Sequence, residues 1–192
     1  MEPMNDLTRA NLRERTEDLL NRGSARNPDV LLVRAEGGRV VVKDFAPRSW
    51  LVRQTIGRWL TRREIRAYRT LADHPNVPNL IGEIDALAFA LEYRPGRRLT
   101  RSTFKILPRE FAEELKRAID GLHECGVAHL DLSHRSNVMI GESSQKPILI
   151  DFASAVCFEP GGLAARTLLP WLVRVDQRAF RKWHKKIQQR ET

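Results

Sequence analysis

Residues 129–137 read His129-Leu130-Asp131-Leu132-Ser133-His134-Arg135-Ser136-Asn137, and Ile148-Leu149-Ile150-Asp151-Phe152-Ala153 follows shortly after. The first run sets a carboxylate, Asp131, in a polar loop with the amide of Asn137 a few residues on. The second leaves Asp151 at the end of an apolar strand, where a charge needs a partner. Alone, Asp131 reads as a turn-capping Asp; the company of Asn137 and Asp151 changes that. One carboxylate suffices to orient an attacking hydroxyl in a phosphoryl transfer, a reaction governed by positioning and charge neutralisation. Asn137 and Asp151 offer hard oxygens suited to Mg²⁺, which takes one or two protein ligands and fills the rest of its shell with phosphate and water. His129 is expected to brace the loop backbone.

Upstream, Val40-Val41-Val42-Lys43 puts an ammonium at the end of an apolar strand. There it reaches solvent or meets an anion that offsets its desolvation. Glu64, in the next helix, could pair with it and aim it at phosphates, or could be one charge among many on an arginine-rich helix. His74-Pro75-Asn76 terminates that helix. Ala90-Leu91-Glu92-Tyr93-Arg94-Pro95-Gly96 has the look of an extended connector whose backbone N–H and C=O groups at Glu92 and Tyr93 could recognise adenine.

The elements that must position these groups follow from periodicity and punctuation. A polar helix is predicted over 6–22, with Leu7, Leu12, Leu19 and Leu20 as its apolar positions, then a loop over 23–28. Strands are expected at Val30–Val33 and Arg39–Phe45, joined by a glycine-bearing hairpin turn. A long helix over 51–72 ends at Pro75 and Pro78. Strands follow over 79–84 and 86–93, and a helix over 108–125 has Pro108 at its start and Gly126 just past its end. Short strands at 138–140 and 148–150 and a helix over about 170–190 complete the chain.

These landmarks, in this order from about residue 30 to 155, resemble the protein-kinase-like superfamily. The resemblance implies an α+β, two-lobed kinase-like fold. Residues 1–29 form an N-terminal helix and loop, 30–93 a strand-rich N-lobe with a hinge near Glu92–Gly96, and 94–192 a truncated helical C-lobe. It implies ATP and Mg²⁺ as cofactors, Asp131, Lys43 and Glu64 as catalytic residues, Lys43, Glu92, Tyr93, Asn137 and Asp151 at the nucleotide, and Asn137 and Asp151 on the metal. Four departures stand out. No G-x-G-x-x-G precedes Lys43, so the phosphate cover is short, altered or absent. Asn137 lies six positions after Asp131 rather than five, with Ser136 in the usual slot, which calls for a one-residue bulge. Asp151-Phe152-Ala153 stands in place of Asp-Phe-Gly, and no Ala-Pro-Glu follows. The compact form is similar to the RIO kinases and to the Kdo and heptose kinases of lipopolysaccharide core, which implies transfer of the ATP γ-phosphate to a protein serine or threonine or to a sugar hydroxyl.

The chain has 192 residues, 42% hydrophobic and 30% charged, with a net charge of +9. This is the composition of a soluble globular protein. No apolar run is long enough to cross a bilayer, and the start has neither the basic nor the apolar region of a signal peptide. Cys125 and Cys157 form no C-x-x-C pair and are expected to be reduced thiols in the cytoplasm. The positive charge suits an anionic partner, such as nucleotide, a protein or anionic glycolipid acceptor, the inner face of a membrane, or nucleic acid. It suits a plainly solvated basic surface equally. The arginine-rich stretches lack the interleaved aromatics of a single-strand binding platform. Beside the active phosphotransferase stand two other readings, a catalytically inactive pseudokinase-like module and a salt-sensitive nucleic-acid binder. The terminal helix, with Trp171, Leu172, Val175, Phe180 and Trp183, is expected to pack on the C-lobe, the alternative being a membrane or partner surface.

Overall fold

A computed structural model of the protein describes residues 6–100, 103, 107–108, 110–159 and 161–188. The protein is α+β and divides into two compact units. The first holds the chain through Ile65 together with Asn79–Tyr93; the second holds Arg66–Pro78 and the chain from Arg94 onward.

The first unit begins with a correction. In place of a helix over 6–22, a single helical turn, α1 (Leu12–Arg15), leads into strand β1 (Thr16–Asn21). Leu7 and Leu12 are buried, whereas Leu19 and Leu20 are exposed. A helix would therefore have had two leucines to bury. As a strand the segment gains a ladder with β2 (Asp29–Ala35), in which Thr16 pairs with Val33 and Asn21 with Val30 across two bulges. The bulges and the acidic Glu17 and Asp18 suit an edge strand. Glu17 also ties β1 to its neighbours through Arg34 and Arg39 at 2.6 and 2.8 Å.

β2 and β3 (Gly38–Asp44) form the expected hairpin, with Ala35 opposite Gly38 across a Glu36-Gly37 turn. β4 (Leu80–Asp85) and β5 (Ala88–Glu92) complete a sheet of order β1-β2-β3-β5-β4. Strand alternation sorts its side chains onto two faces. Val33, Ala35, Val40, Val42, Ala88 and Ala90 share one face with Leu7 and Leu12. Burying each valine or leucine there stabilises by about 1.5–3 kcal/mol. Arg9 pins the N-terminal segment by bonding Asp44 and Asp85, each at 2.7 Å. Lys43 alternates onto the opposite face, with Phe89 as its cross-strand neighbour.

The helix predicted over 51–72 runs from Trp50 to Thr70, as α2 (Trp50–Val52), a π-turn at Arg53–Gly57 and α3 (Arg58–Thr70). In the second unit, α4 (Phe111–Glu124) buries Phe111, Leu115, Ala118, Ile119 and Leu122 at helical spacing. Three short strands escaped prediction: β6 (Gly96–Arg98), β7 (Val127–Ala128) and β10 (Val156–Cys157). At two or three residues each, they are too brief to show a period. β6 joins β8 (Val138–Gly141) and β9 (Pro147–Leu149) in a three-stranded sheet, and β7 pairs with β10. The last helix, α5 (Leu163–Gln188), starts earlier than the expected 170 and carries Pro170 inside it.

Gly126 ends α4 in a left-handed conformation at φ 77°, its N–H donating to the His123 carbonyl at 2.9 Å. A Cβ there would lie 2.7 Å from the Phe158 carbonyl oxygen. Gly126→Ala is therefore expected to cost about 2–3 kcal/mol, a fall of roughly 5–10 °C in Tm measurable by differential scanning fluorimetry.

Candidate active site

Lys43 and Glu64 come together within the first unit. The β3 register turns Lys43 away from the apolar cluster, and Glu64 lies in the buried stripe of α3 with Thr61, Ile65 and Tyr68. The ammonium meets the carboxylate at 2.5 Å, and both residues are buried. A charge-assisted bond of this length holds the lysine in one direction. The pair is costly to break, because removing either partner strands a buried charge.

The connection from β1 to β2 passes through Arg22-Gly23-Ser24-Ala25-Arg26-Asn27-Pro28. It enters β2 at the end where Val30 pairs with Lys43. Because 6–22 reads as a helix, the sequence gives no reason to regard this loop as the turn of a hairpin. It is tightly wound: a Cβ on Gly23 would fall 2.2 Å from the Asn27 carbonyl oxygen. Asp29 accepts the Gly23 N–H at 2.8 Å and the Arg48 guanidinium at 2.5 Å, and Arg48 reaches on to the carbonyls of Gly23 and Ser24. Side chains thus hold the loop where a glycine-rich sequence is lacking.

The second unit assembles Asp131 and Asn137. A 3₁₀ turn at Arg135–Asn137 absorbs the extra residue of the loop, leaving Ser136 exposed and Asn137 buried. The Asn137 amide donates to the Asp131 Oδ2 at 2.9 Å and to the Asp131 carbonyl at 3.0 Å. Both partners only accept, so the NH₂ group must face Asp131 and the Asn137 Oδ1 must face away from it. His134 Nε2 stands 3.7 Å from the Asp131 Oδ1. In the following hairpin Val138 pairs with Leu149, and the Ile150 N–H donates to the Asn137 carbonyl at 3.0 Å. Asn137 and Asp151 consequently leave the same end of one two-stranded ladder. Asp151 is left-handed at φ 68°, and its N–H points to the Tyr68 hydroxyl at 3.4 Å. Phe152 is fully buried between the rings of Tyr68 and His129, with centroids 5.1 and 4.6 Å away. Carboxylate and amide oxygens are the donor set Mg²⁺ prefers.

His129 is neutral. Its Nε2–H donates to the Ile150 carbonyl at 3.1 Å, and its Nδ1 faces the Asp131 N–H at 3.4 Å. Burial pushes its pKa below the ordinary histidine value, against the pull of Asp176, the Ile150 carbonyl, Asp151 and Asp131. His74 behaves alike: burial lowers its pKa, a bond to the Ala118 carbonyl opposes this, and Arg94 adds to the lowering.

The connector is more committed than its sequence implies. The Glu92 N–H donates to the Asn79 carbonyl at 2.9 Å, and the Glu92 carboxylate accepts the Asn79 N–H at 3.0 Å. The Glu92 N–H closes β4 against β5. Tyr93 follows as a half-buried residue at the strand end.

The residue that sequence reasoning missed is Asp176 of α5. Fully buried, it accepts the backbone N–H groups of His129 and Leu130, each at 2.8 Å, and meets His123 Nε2 at 3.1 Å. Seven residues on, the Trp183 indole donates to the Leu132 carbonyl at 2.7 Å. The available signal was compositional: Asp176 is the one carboxylate in a helix otherwise filled with cations and apolar residues.

One unit thus holds a buried lysine–glutamate pair, and the other an Asp–Asn loop followed by a strand-end Asp. A model of the phosphotransferase enzyme family matches residues 19–189. That is most of the chain, and the protein belongs to this family, within the protein-kinase-like superfamily. No curated protein matches the chain.

Two outcomes follow. Asp176→Asn sets an amide against two backbone donors and should cost about 2–3 kcal/mol, read as a lower urea midpoint. Histidines held neutral in the fold but protonated when unfolded make stability fall as pH drops below about 6.5, because the unfolded chain then binds more protons. Tm should therefore decline from pH 7 toward 5.5, and His129→Asn should flatten that decline.

Proposed function

We propose that the protein is an ATP- and Mg²⁺-dependent phosphotransferase that moves the γ-phosphate to a hydroxyl of a protein serine or threonine or of a lipopolysaccharide-type sugar, as in the RIO and Kdo/heptose kinases it resembles. The observation that carries the reading is the Asp131–Asn137 contact. It holds one carboxylate oxygen with an amide and leaves Oδ1 outside hydrogen-bond reach of His134. Asp131 is assigned to orient the acceptor hydroxyl and take its proton as the new O–P bond forms. The bond from phosphorus to the bridging oxygen breaks, and ADP departs with that electron pair. Lys43, held by Glu64, is assigned to the nucleotide phosphates, and the backbone at Tyr93 to adenine, with Glu92 shaping the strand end. Asn137 and Asp151 would hold Mg²⁺, whose charge would neutralise the phosphate oxygens.

Thermal unfolding with Mg²⁺-ATP tests this without knowledge of the acceptor. Ligand at a hundredfold over its Kd stabilises by about 2.7 kcal/mol, a rise of roughly 5–10 °C. Asp151→Asn should lose the Mg²⁺-dependent part of that rise. Asp131→Asn should keep it while phosphoryl transfer falls about 10²–10⁴-fold. A wild type that binds no nucleotide would overturn the proposal in favour of a binding module. Undiminished transfer by Asp131→Asn would overturn the role given to that residue.

A further inference from the structure

The two halves of α5 differ in what covers them. From Asp176 onward the helix is built into the second unit, with Asp176, Ala179, Trp183 and Ile187 buried. From Leu163 through Val175 no residue is buried. That stretch is nevertheless rich in apolar groups: Leu163 is 81% exposed, Leu168 54%, Trp171 65% and Val175 41%. A soluble helix with an apolar segment of this kind is explained by a partner surface.

The exposed groups are ordered. Leu168, Trp171 and Val175 follow at three- and four-residue spacing, and Arg178 and Lys182 continue the same line. Arg174 lies over the Trp171 ring at 4.3 Å, and Arg181 and Lys185 flank the line as exposed cations. Asp176, the single acidic residue of α5, is turned fully inward. The exposed side of the helix, about 39 Å long at 1.5 Å per residue, therefore presents leucine, valine and tryptophan whose charged neighbours on the helix are all cations.

We infer that this face of α5 docks on an anionic lipid surface, with Leu168, Trp171 and Val175 entering the headgroup–acyl boundary and Arg174, Arg178, Arg181, Lys182 and Lys185 meeting lipid phosphates. Charge complementarity selects that occupant. Arginine and lysine on the polar side with tryptophan and leucine on the other is the composition of a helix lying in the membrane plane. A nucleic-acid face would not expose this much aliphatic surface. A second copy of the same face would set like charges against each other. Among the described residues no helix is long and apolar enough to cross a membrane, so the contact is interfacial. The inference is independent of the proposed chemistry, because lipid binding is read without turnover.

The test is co-sedimentation of the full chain with phosphatidylcholine vesicles, with and without about one-third phosphatidylglycerol. Leu168→Ser/Trp171→Ser and Arg178→Glu/Lys182→Glu are compared with wild type. All four positions are exposed, and an unchanged Tm establishes that each variant folds. Wild type should bind the anionic vesicles and release them as salt rises, and each double variant should bind at least tenfold more weakly. Absence of binding to anionic vesicles at low salt would overturn the inference. So would binding that survives the Leu168/Trp171 change, which would mark attraction by net charge alone. A dimer in analytical ultracentrifugation dispersed by Trp171→Ser, without vesicle binding, would assign the face to a second copy instead.

Discussion

The second unit depends on one buried carboxylate. Asp176 lies under a loop whose backbone is bent into an unfavourable shape: Leu130 is left-handed at φ 65°, which costs a side-chain-bearing residue about 1–2 kcal/mol. The bend turns two consecutive N–H groups inward, where water cannot satisfy them. A single carboxylate accepts both, and His123 meets it from α4. A buried charge is tolerable only when so fully bonded. Everything downstream relies on the loop it fixes: the His129 ring against Phe152, the amide of Asn137 on Asp131, and the ladder that carries Asp151.

The first unit solves a comparable problem by other means. Lys43 and Glu64 are buried together, and a buried ion pair is a weak source of stability compared with well-packed apolar side chains. What such a pair provides is direction: the ammonium is held along one axis at the end of a strand whose register is fixed by pairs on both sides. The loop over 22–28 is held in the same spirit, with Asp29 and Arg48 supplying from side chains the restraint that a glycine-rich turn would draw from its backbone.

How much of this could be read from the chain depended on the range of each signal. The β2–β3 hairpin, the helix containing Glu64 and the helix before Gly126 are strongly periodic and well punctuated, and they stand close to where the residues put them. β1 misled because Leu12, Leu19 and Leu20 fit a helical spacing, whereas its true partner is a strand beyond a seven-residue loop and its own side chains are mostly exposed. Asn137 was legible as a chemical group, and so was the need for a one-residue bulge ahead of it; that the bulge takes the form of a 3₁₀ turn was not. Asp176 was illegible for a different reason. Its partners are backbone N–H groups, which every non-proline residue possesses, so nothing in the identity of His129 or Leu130 announces the contact.

The position of Asp176 also sets an order of events during synthesis. It follows His129 by 47 residues, and Trp183 follows Leu132 by 51. At about 5–20 residues per second, the loop with Asp131 and Asn137 leaves the peptidyl-transferase centre several seconds before the groups that brace it have been made. During that interval its left-handed backbone has no buried acceptor, and water is the better partner for its amides. A nascent chain that already contains Asp131, Asn137 and Asp151 thus still lacks the bracing of the loop between them, which is completed only when the face of α5 that begins at Asp176 arrives.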